Sequence, residues 1–226
     1  MILAAGRGQR MRPLTDHTPK PLLPVNGVPL IVWHLKRLAD AGFVDVIINH
    51  AWLGQKIEQA LGDGSQWSLR IQYSAESPAL ETAGGIARAL PLLGADPFLV
   101  INGDIWCDWP LARAADVALA LKSRAGALAH LVLVDNPTHN LSGDFCLSKD
   151  AIVQSDGQPK LTFSGVGIYT PALFKDVDPN RASPLAPLLR QAMAKRAVQG
   201  EHHDGCWIDV GTPERLRALS KLLAGS

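Results

Sequence analysis

Apolar and polar positions alternate along this chain with two periods. Residues 29–41, PLIVWHLKRLADA, place Ile31, Leu35 and Leu38 at i, i+4 and i+7, which predicts a helix with one buried stripe that Gly42 ends. The short segments Met1–Ala5, FVDVIIN, SLRIQY and PFLVIN predict strands, and GQKIEQALG, TAGGIARALPLLG and WPLARAADVALALKS predict helices between and after them. Strands and helices in this alternation imply βαβ units. Residues 126–170 change character, with GALAHLVLV, GDFCLS, AIVQS and GVGIYT reading as strands joined by polar turns. Ser183 and Pro184 then suit N-cap and first helical positions ahead of a face of Leu185, Leu188, Leu189, Ala192 and Met193. Thr212, Pro213 and Glu214 open a last helix with Leu216, Leu219 and Leu223 inward. The fold class expected is α/β: a Rossmann-like, mostly parallel sheet with helices on both faces and a small β-rich lobe. One domain over residues 1–226 is expected, in two halves, 1–125 and 126–226.

Composition narrows the setting. Lys and Arg number 22 against 21 Asp and Glu, so a net charge of +1 gives no long-range attraction to nucleic acid or an anionic membrane. Cys107, Cys146 and Cys206 are odd in number and widely spaced, which suits reduced thiols in a cytoplasm. The first apolar run stops at Gly6 and lacks a basic flank, so no signal peptide is expected, and no apolar stretch has the length of a membrane span.

The chemistry gathers at strand ends. In MILAAGRGQRMRPLTDHTPKPLLPV, Gly6 and Gly8 supply a turn whose amides suit phosphate oxygens, and Arg7, Arg10, Arg12 and Lys20 bring four cations near it. Pro13, Pro19, Pro21 and Pro24 make it a shaped loop rather than a helix. On its own, a Gly-x-Gly pair is an ordinary turn and a basic loop an ordinary surface. A dinucleotide fingerprint is not met: Met11 stands where a third glycine belongs, and the second strand ends in Asn49 and His50 rather than an acid. Asp104, in NGDIW, follows the strand PFLVI, and Asp209, in WIDVGTPE, precedes a glycine and a capped helix. Asp104 closes a turn, or the two acids meet at one Mg²⁺ beside phosphates. ESPALETAGG carries Glu76 and Glu81 ahead of Gly84 and Gly85, which would let backbone approach a flat base. A carboxylate there favours uracil, which offers an N3–H donor, over cytosine; the alternative is that Glu81 caps the following helix. His202, His203, Cys206 and Asp209 are residue types that suit zinc, but adjacent histidines in a strand face opposite ways and no zinc site is expected. A GxSxG elbow, a catalytic cysteine pair and a Walker loop are absent.

In order along the chain, LAAGRGQRMRP, PKPLLPV, LETAGG, NGD, GVGIY and WIDVGTPE resemble the sugar-phosphate nucleotidyltransferases. The resemblance implies nucleotidyl transfer to a sugar 1-phosphate. It places Arg10 and Lys20 on phosphates, Asp104 and Asp209 on the catalytic Mg²⁺, and the nucleotide against Ala4, Ala5, Gly6, Gly8, Glu76, Glu81, Gly84, Gly85 and Asn102. The sugar would meet Asn140, Gly143, Asp144, Lys160 and Gly165. Three positions depart from the family pattern: Glu81 replaces the first glycine of its LGTAG loop, Gly165 the asparagine of its NAGIY motif, and SDGQPKLTFSG lacks its EKP lysine, although Lys160 is near. INHAWLGQKIEQALGDG together with LETAGG is most similar to the branch that uridylylates N-acetylmuramic acid 1-phosphate in bacterial cell-wall recycling. UTP and a sugar 1-phosphate are therefore the expected partners, with the protein a monomer. A carboxylate on that sugar would call for a cation, with His139, Lys160, Arg181 and Arg190 available. The alternatives are a thymidylyl- or guanylyltransferase for a hexose 1-phosphate, or a non-catalytic nucleotide-sensing subunit of the same fold.

Overall fold

The computed structural model describes residues 1–224. The chain runs β1 (Ile2–Leu3), β2 (Pro24–Val25), β3 (Val28–Pro29), α1 (Leu30–Asp40), β4 (Asp45–His50), α2 (Gly54–Leu61), β5 (Arg70–Ala75), α3 (Glu81–Leu93), β6 (Phe98–Asn102), β7 (Ile105–Cys107) and α4 (Arg113–Ser123). It continues through β8 (Ala129–Val134), β9 (Phe145–Leu147), β10 (Val153–Gln154), β11 (Lys160–Tyr169), α5 (Leu185–Ala194), β12 (Val198–His202), β13 (Trp207–Asp209) and α6 (Pro213–Ala224).

Strands β5, β4, β1 and β6 lie side by side and parallel, as the intervening helices require. The ten-residue β11 then runs antiparallel between β6 and β8, and β12 closes that side parallel to β8. The sheet is buried on both faces because successive strand residues serve different cores. Ile48, Leu99 and Ile101 pack with Leu35 and Leu38 of α1 and Leu121 of α4. Ile47, Phe98 and Val100 pack with Ile86 of α3 and Leu189 of α5.

A third cluster positions the site. Met11 from the N-terminal loop, Leu23 and Val25, Trp106 of β7, Val210, and Leu216 and Leu219 of α6 are buried together, so the first and last parts of the chain share one apolar anchor. Gly42, at φ +84°, ends α1 as expected. Thr212 precedes α6, its carbonyl accepting from the Leu216 amide at 3.0 Å.

Ser183 is not an N-cap. Helix α5 begins at Leu185 after Pro184, with no side-chain cap. The Ser183 carbonyl instead accepts from the amides of Ala83 (2.9 Å) and Gly84 (3.2 Å), meeting the unsatisfied first turn of α3. That approach is possible because a Cβ on Gly84 would lie 2.5 Å from the Arg181 carbonyl oxygen.

Candidate active site

The carboxyl ends of β1, β4 and β6 open into a cleft of about 660 Å³. Its walls are the loop Leu3–Arg7, Lys20 and Pro21, the segment of Asn49, Ala51 and Trp52, the loop Glu76–Ala79 with Glu81 and Thr82, and Asn102–Asp104. This is where ligands bind in open parallel sheets.

The first loop is held by side chains from the next two strands. Asn49 Oδ1 accepts from the Ala4 amide (2.9 Å), Asn49 Nδ2 donates to Glu76 Oε1 (2.7 Å), and Glu76 Oε2 accepts from the Leu80 amide (2.7 Å). Glu76 is 5% exposed, and both its oxygens are engaged in shaping the loop. Glu81 is exposed on the cleft wall, begins α3 at φ +57°, and makes no side-chain cap to the helix. Both acids line the cleft, but Glu76 has both oxygens engaged in bracing the loop, whereas Glu81 is exposed in the first turn of α3, where its charge also complements the helix N-terminus. Its left-handed backbone also explains the glycine of the resembling motif at this position.

The glycines differ in the same way. A Cβ on Gly6 would meet nothing within 4 Å, so this turn is open to a ligand. Gly8, at φ +67°, faces Thr15 Cγ2 (3.0 Å) and Lys20, and Thr15 Oγ1 donates to its carbonyl (2.8 Å), which closes the turn from behind. Gly84 and Gly85 do not line the cleft. They are buried in α3, where side chains would collide with the Arg181 carbonyl and with Glu76 Oε1, so their smallness serves packing between protein segments rather than approach to a base.

Lys20 is 6% exposed in a short 3₁₀ turn and places Nζ 2.6 Å from Asp104 Oδ2, whose side chain is 46% exposed in the β6–β7 turn. Strand β13 pairs antiparallel with β7, putting Asp209 opposite Ile105, and the Val210 amide donates to the Asp104 carbonyl at 2.7 Å. The two acids therefore stand on neighbouring positions of one ladder. Asp209 Oδ1 is 3.0 Å from both His139 Nε2 and Arg215 Nη1. A Cβ on Gly211 would sit 3.0 Å from Asp209 Oδ2, 3.2 Å from Arg10 Nη2 and in collision with Arg215 Nη2, so Arg10, Asp209 and Arg215 converge over that glycine. Sequence reasoning missed Arg215. A cation in the first turn of a helix opposes the helix dipole, and that misfit in TPER was its signal.

Two carboxylates with no thiolate beside them suit a magnesium ion that keeps water and phosphate oxygens as its other ligands. Among the described residues, no group of three His, Cys, Asp or Glu side chains is placed to hold a metal. His203 Nε2 pairs with Asp108 (2.5 Å) and His202 Nε2 with Asp135 (2.9 Å), so the two histidines serve different partners. His34 of α1 is fully buried, and among the described residues neither of its ring nitrogens has a hydrogen-bond partner. Burial, and then the positive charge of Arg37, lower its pKa to about 4.

In the second half, Asn140 Nδ2 donates to Thr162 Oγ1 (3.1 Å) and Asp144 Oδ1 (3.3 Å), and Asp144 Oδ2 accepts from the Phe163 amide (2.8 Å). With Gly143 at φ +61°, these residues brace the 136–144 loop against β11. Lys160 opens β11 beside them; its carbonyl accepts from Asn136 Nδ2 at 2.9 Å. Gly165, at φ +84°, lies in an irregularity of β11, and a Cβ there would be 2.7 Å from Asn102 Nδ2 on the cleft wall. Of the four cations considered for a sugar carboxylate, His139 is beside Asp209, whereas Arg190 is exposed on α5 and Arg181 is exposed on the segment that covers α3.

A family model described as Nucleotidyl transferase matches residues 1–140. An N-acetylmuramate alpha-1-phosphate uridylyltransferase of Neisseria meningitidis serogroup B is 55% identical, over 100% of this chain and 98% of that protein. Another so named from Caulobacter vibrioides is 35% identical, over 99% and 96%. A mannose-1-phosphate guanylyltransferase of Mycobacterium tuberculosis is 38% identical over 61% of this chain and 38% of its own length. Among solved structures, a candidate glucose-1-phosphate thymidylyltransferase from Bacillus anthracis shares the fold at TM-score 0.85 and 21% identity, over 98% of this chain and 93% of that one.

Proposed function

The chain belongs to the nucleotidyl transferase family, and from that premise we propose that it transfers a uridylyl group from UTP to N-acetylmuramic acid 1-phosphate, releasing pyrophosphate. The observation that supports the chemistry is the pairing of Lys20 with Asp104 on the cleft wall, near the open Gly6 turn, with Asp209 paired to Ile105, the next residue after Asp104. Identity over the full length of the uridylyltransferase relatives favours this acceptor over a hexose phosphate, since the guanylyltransferase relative shares only part of its own length with this chain. The product would serve cell-wall recycling in the cytoplasm.

In this reading a phosphate oxygen of the sugar 1-phosphate attacks the α-phosphorus of UTP and pyrophosphate leaves in line, a reaction governed by positioning and charge rather than by a covalent nucleophile. Asp104 and Asp209 would hold Mg²⁺, which when bound offsets negative charge between carboxylates and phosphate oxygens. Lys20, held by Asp104, serves the reacting phosphates, and Arg10 the leaving pyrophosphate. The backbone of Ala4, Ala5 and Gly6, with Asn102, cradles the nucleotide, and Glu81 accepts from uracil N3–H. Gly8, Glu76, Gly84 and Gly85 act on the nucleotide through the loops that they shape. The 136–144 loop, with Asn140, Gly143 and Asp144, and Lys160 and Gly165 of β11 form the acceptor side. Residues 1–125 are then the nucleotide half and 126–226 the sugar-phosphate half of one domain, working as a monomer.

The test is a panel of UTP, dTTP, GTP and CTP against N-acetylmuramic acid, N-acetylglucosamine, glucose and mannose 1-phosphates, with pyrophosphate and nucleotide-sugar both measured. UTP with the muramic acid phosphate should lead the panel. No product from any pair would favour the nucleotide-sensing alternative.

A further inference from the structure

The N-terminal loop carries four cations, of which two are ion-paired with carboxylates and a third lies near one. Arg12 Nε pairs with Asp16 (2.6 Å), Lys20 with Asp104 (2.6 Å), and Arg10 converges with Asp209 over Gly211. Arg7 differs. It lines the cleft, and among the described residues it pairs with no carboxylate; its guanidinium carbon lies 4.0 Å from the ring centroid of Trp52, which lines the cleft beside it. Trp52 is fixed in turn, since its Nε1 donates to the Thr15 carbonyl at 3.2 Å and the Thr15 hydroxyl holds Gly8. The indole, Thr15 and the glycine turn therefore form one unit.

A guanidinium stacked on an aromatic face retains the donors along its edges, and the planar fork of arginine matches phosphate oxygens two at a time. We propose that Arg7 binds the β,γ-phosphate end of the incoming triphosphate, and that Trp52 is the shelf that holds it there. The assignment rests on the reading of the cleft as a nucleoside triphosphate site, and it adds to Arg10 and Lys20 a phosphate-binding residue on the same loop as the open Gly6 turn.

The experiment is calorimetric binding of UTP, UMP and inorganic tripolyphosphate, with melting temperatures, to wild type, Arg7→Ala, Arg7→Lys and Trp52→Leu. Arg7→Ala should weaken UTP and tripolyphosphate by about 10-fold or more, the scale of a lost hydrogen bond between charged partners, and leave UMP within about twofold. Arg7→Lys should recover part of the loss, and Trp52→Leu should weaken tripolyphosphate in the same direction as Arg7→Ala. Unchanged tripolyphosphate affinity in Arg7→Ala would overturn the proposal, making Arg7 a solvated surface cation. So would a Trp52→Leu variant that loses UMP as strongly as UTP but retains tripolyphosphate, because Trp52 would then be a platform for the base. A wild type that binds UTP yet forms no nucleotide-sugar would defeat the functional reading and leave the Arg7 assignment standing.

Discussion

The Val210 amide donates to the carbonyl of Asp104 at 2.7 Å, and this bond fixes how far Asp209 stands from Asp104. The two residues lie about a hundred positions apart in sequence, yet Asp104 immediately precedes β7 and Asp209 ends β13, which pairs with it. The register of the two residues is a backbone property, which a change of side chain would leave in place.

Asp104→Asn and Asp209→Asn should therefore fold and fail to turn over. Loss of one charged group from a phosphoryl-transfer site is expected to lower kcat by about 10² or more, with melting temperatures close to wild type because neither side chain lies in an apolar core. Activity at saturating Mg²⁺ and thermal melts are to be measured side by side. A near-wild-type rate in either variant removes that residue as a ligand.

The two glutamates of the base loop should separate. Glu81→Gln preserves size and removes charge, so the UTP over CTP preference should fall by roughly 10-fold, within the range for a hydrogen bond to a charged group. Glu76→Gln places an amide NH₂ against Asn49 Nδ2 or the Leu80 amide, and should chiefly lower the melting temperature. Nucleotide ratios and melts for both variants decide the matter; an unaltered ratio in Glu81→Gln ends its role with the base.

His34 gives a pH dependence with a definite sign. Its folded pKa of about 4 lies below the ordinary 6.5, so between these values the unfolded chain binds more protons and stability falls as pH falls. The full effect is roughly 3 kcal/mol, nearly all of it present above pH 6.5 and lost on the way to pH 4. His34→Leu has no such proton to bind. Its melting temperature should decline less than that of wild type between pH 7 and pH 4.5, and parallel declines would contradict this account.

On the acceptor side, His139 stands beside Asp209 while Arg181 and Arg190 face elsewhere. His139→Ala should therefore reduce the kcat/KM preference for N-acetylmuramic acid 1-phosphate over N-acetylglucosamine 1-phosphate, and Arg181→Ala and Arg190→Ala should leave it unchanged. Lys160→Ala measures the contribution from the far end of the loop. If all four variants retain the wild-type ratio, the lactyl carboxylate projects into water. A wild type that prefers the sugar lacking that group refutes the acceptor assignment itself.

The alternation of strands and helices was legible because every βαβ helix has an apolar stripe of its own, as Ile31, Leu35 and Leu38 illustrate. What escaped were relationships between segments. Ser183 reads as a cap for the helix that follows it, but its carbonyl serves the first turn of α3. Gly84 and Gly85 read as space for a base, yet that space is filled by Arg181 and Glu76. Nothing in ESPALETAGG says which of two acids turns inward; Asn49, from another strand, decides it by donating to Glu76. Arg215 was overlooked because the meaning of its position depends on Asp209 folding back towards it.

Glu81 adopts a left-handed backbone that glycine would occupy more comfortably, by about 1 kcal/mol or more. A mutant library screened only for heat resistance would thus be drawn to glycine at this position. Under the proposed role of Glu81 at the base, its winners would melt later and confuse their pyrimidines sooner, so an engineering campaign on this scaffold should select for fidelity from its first round.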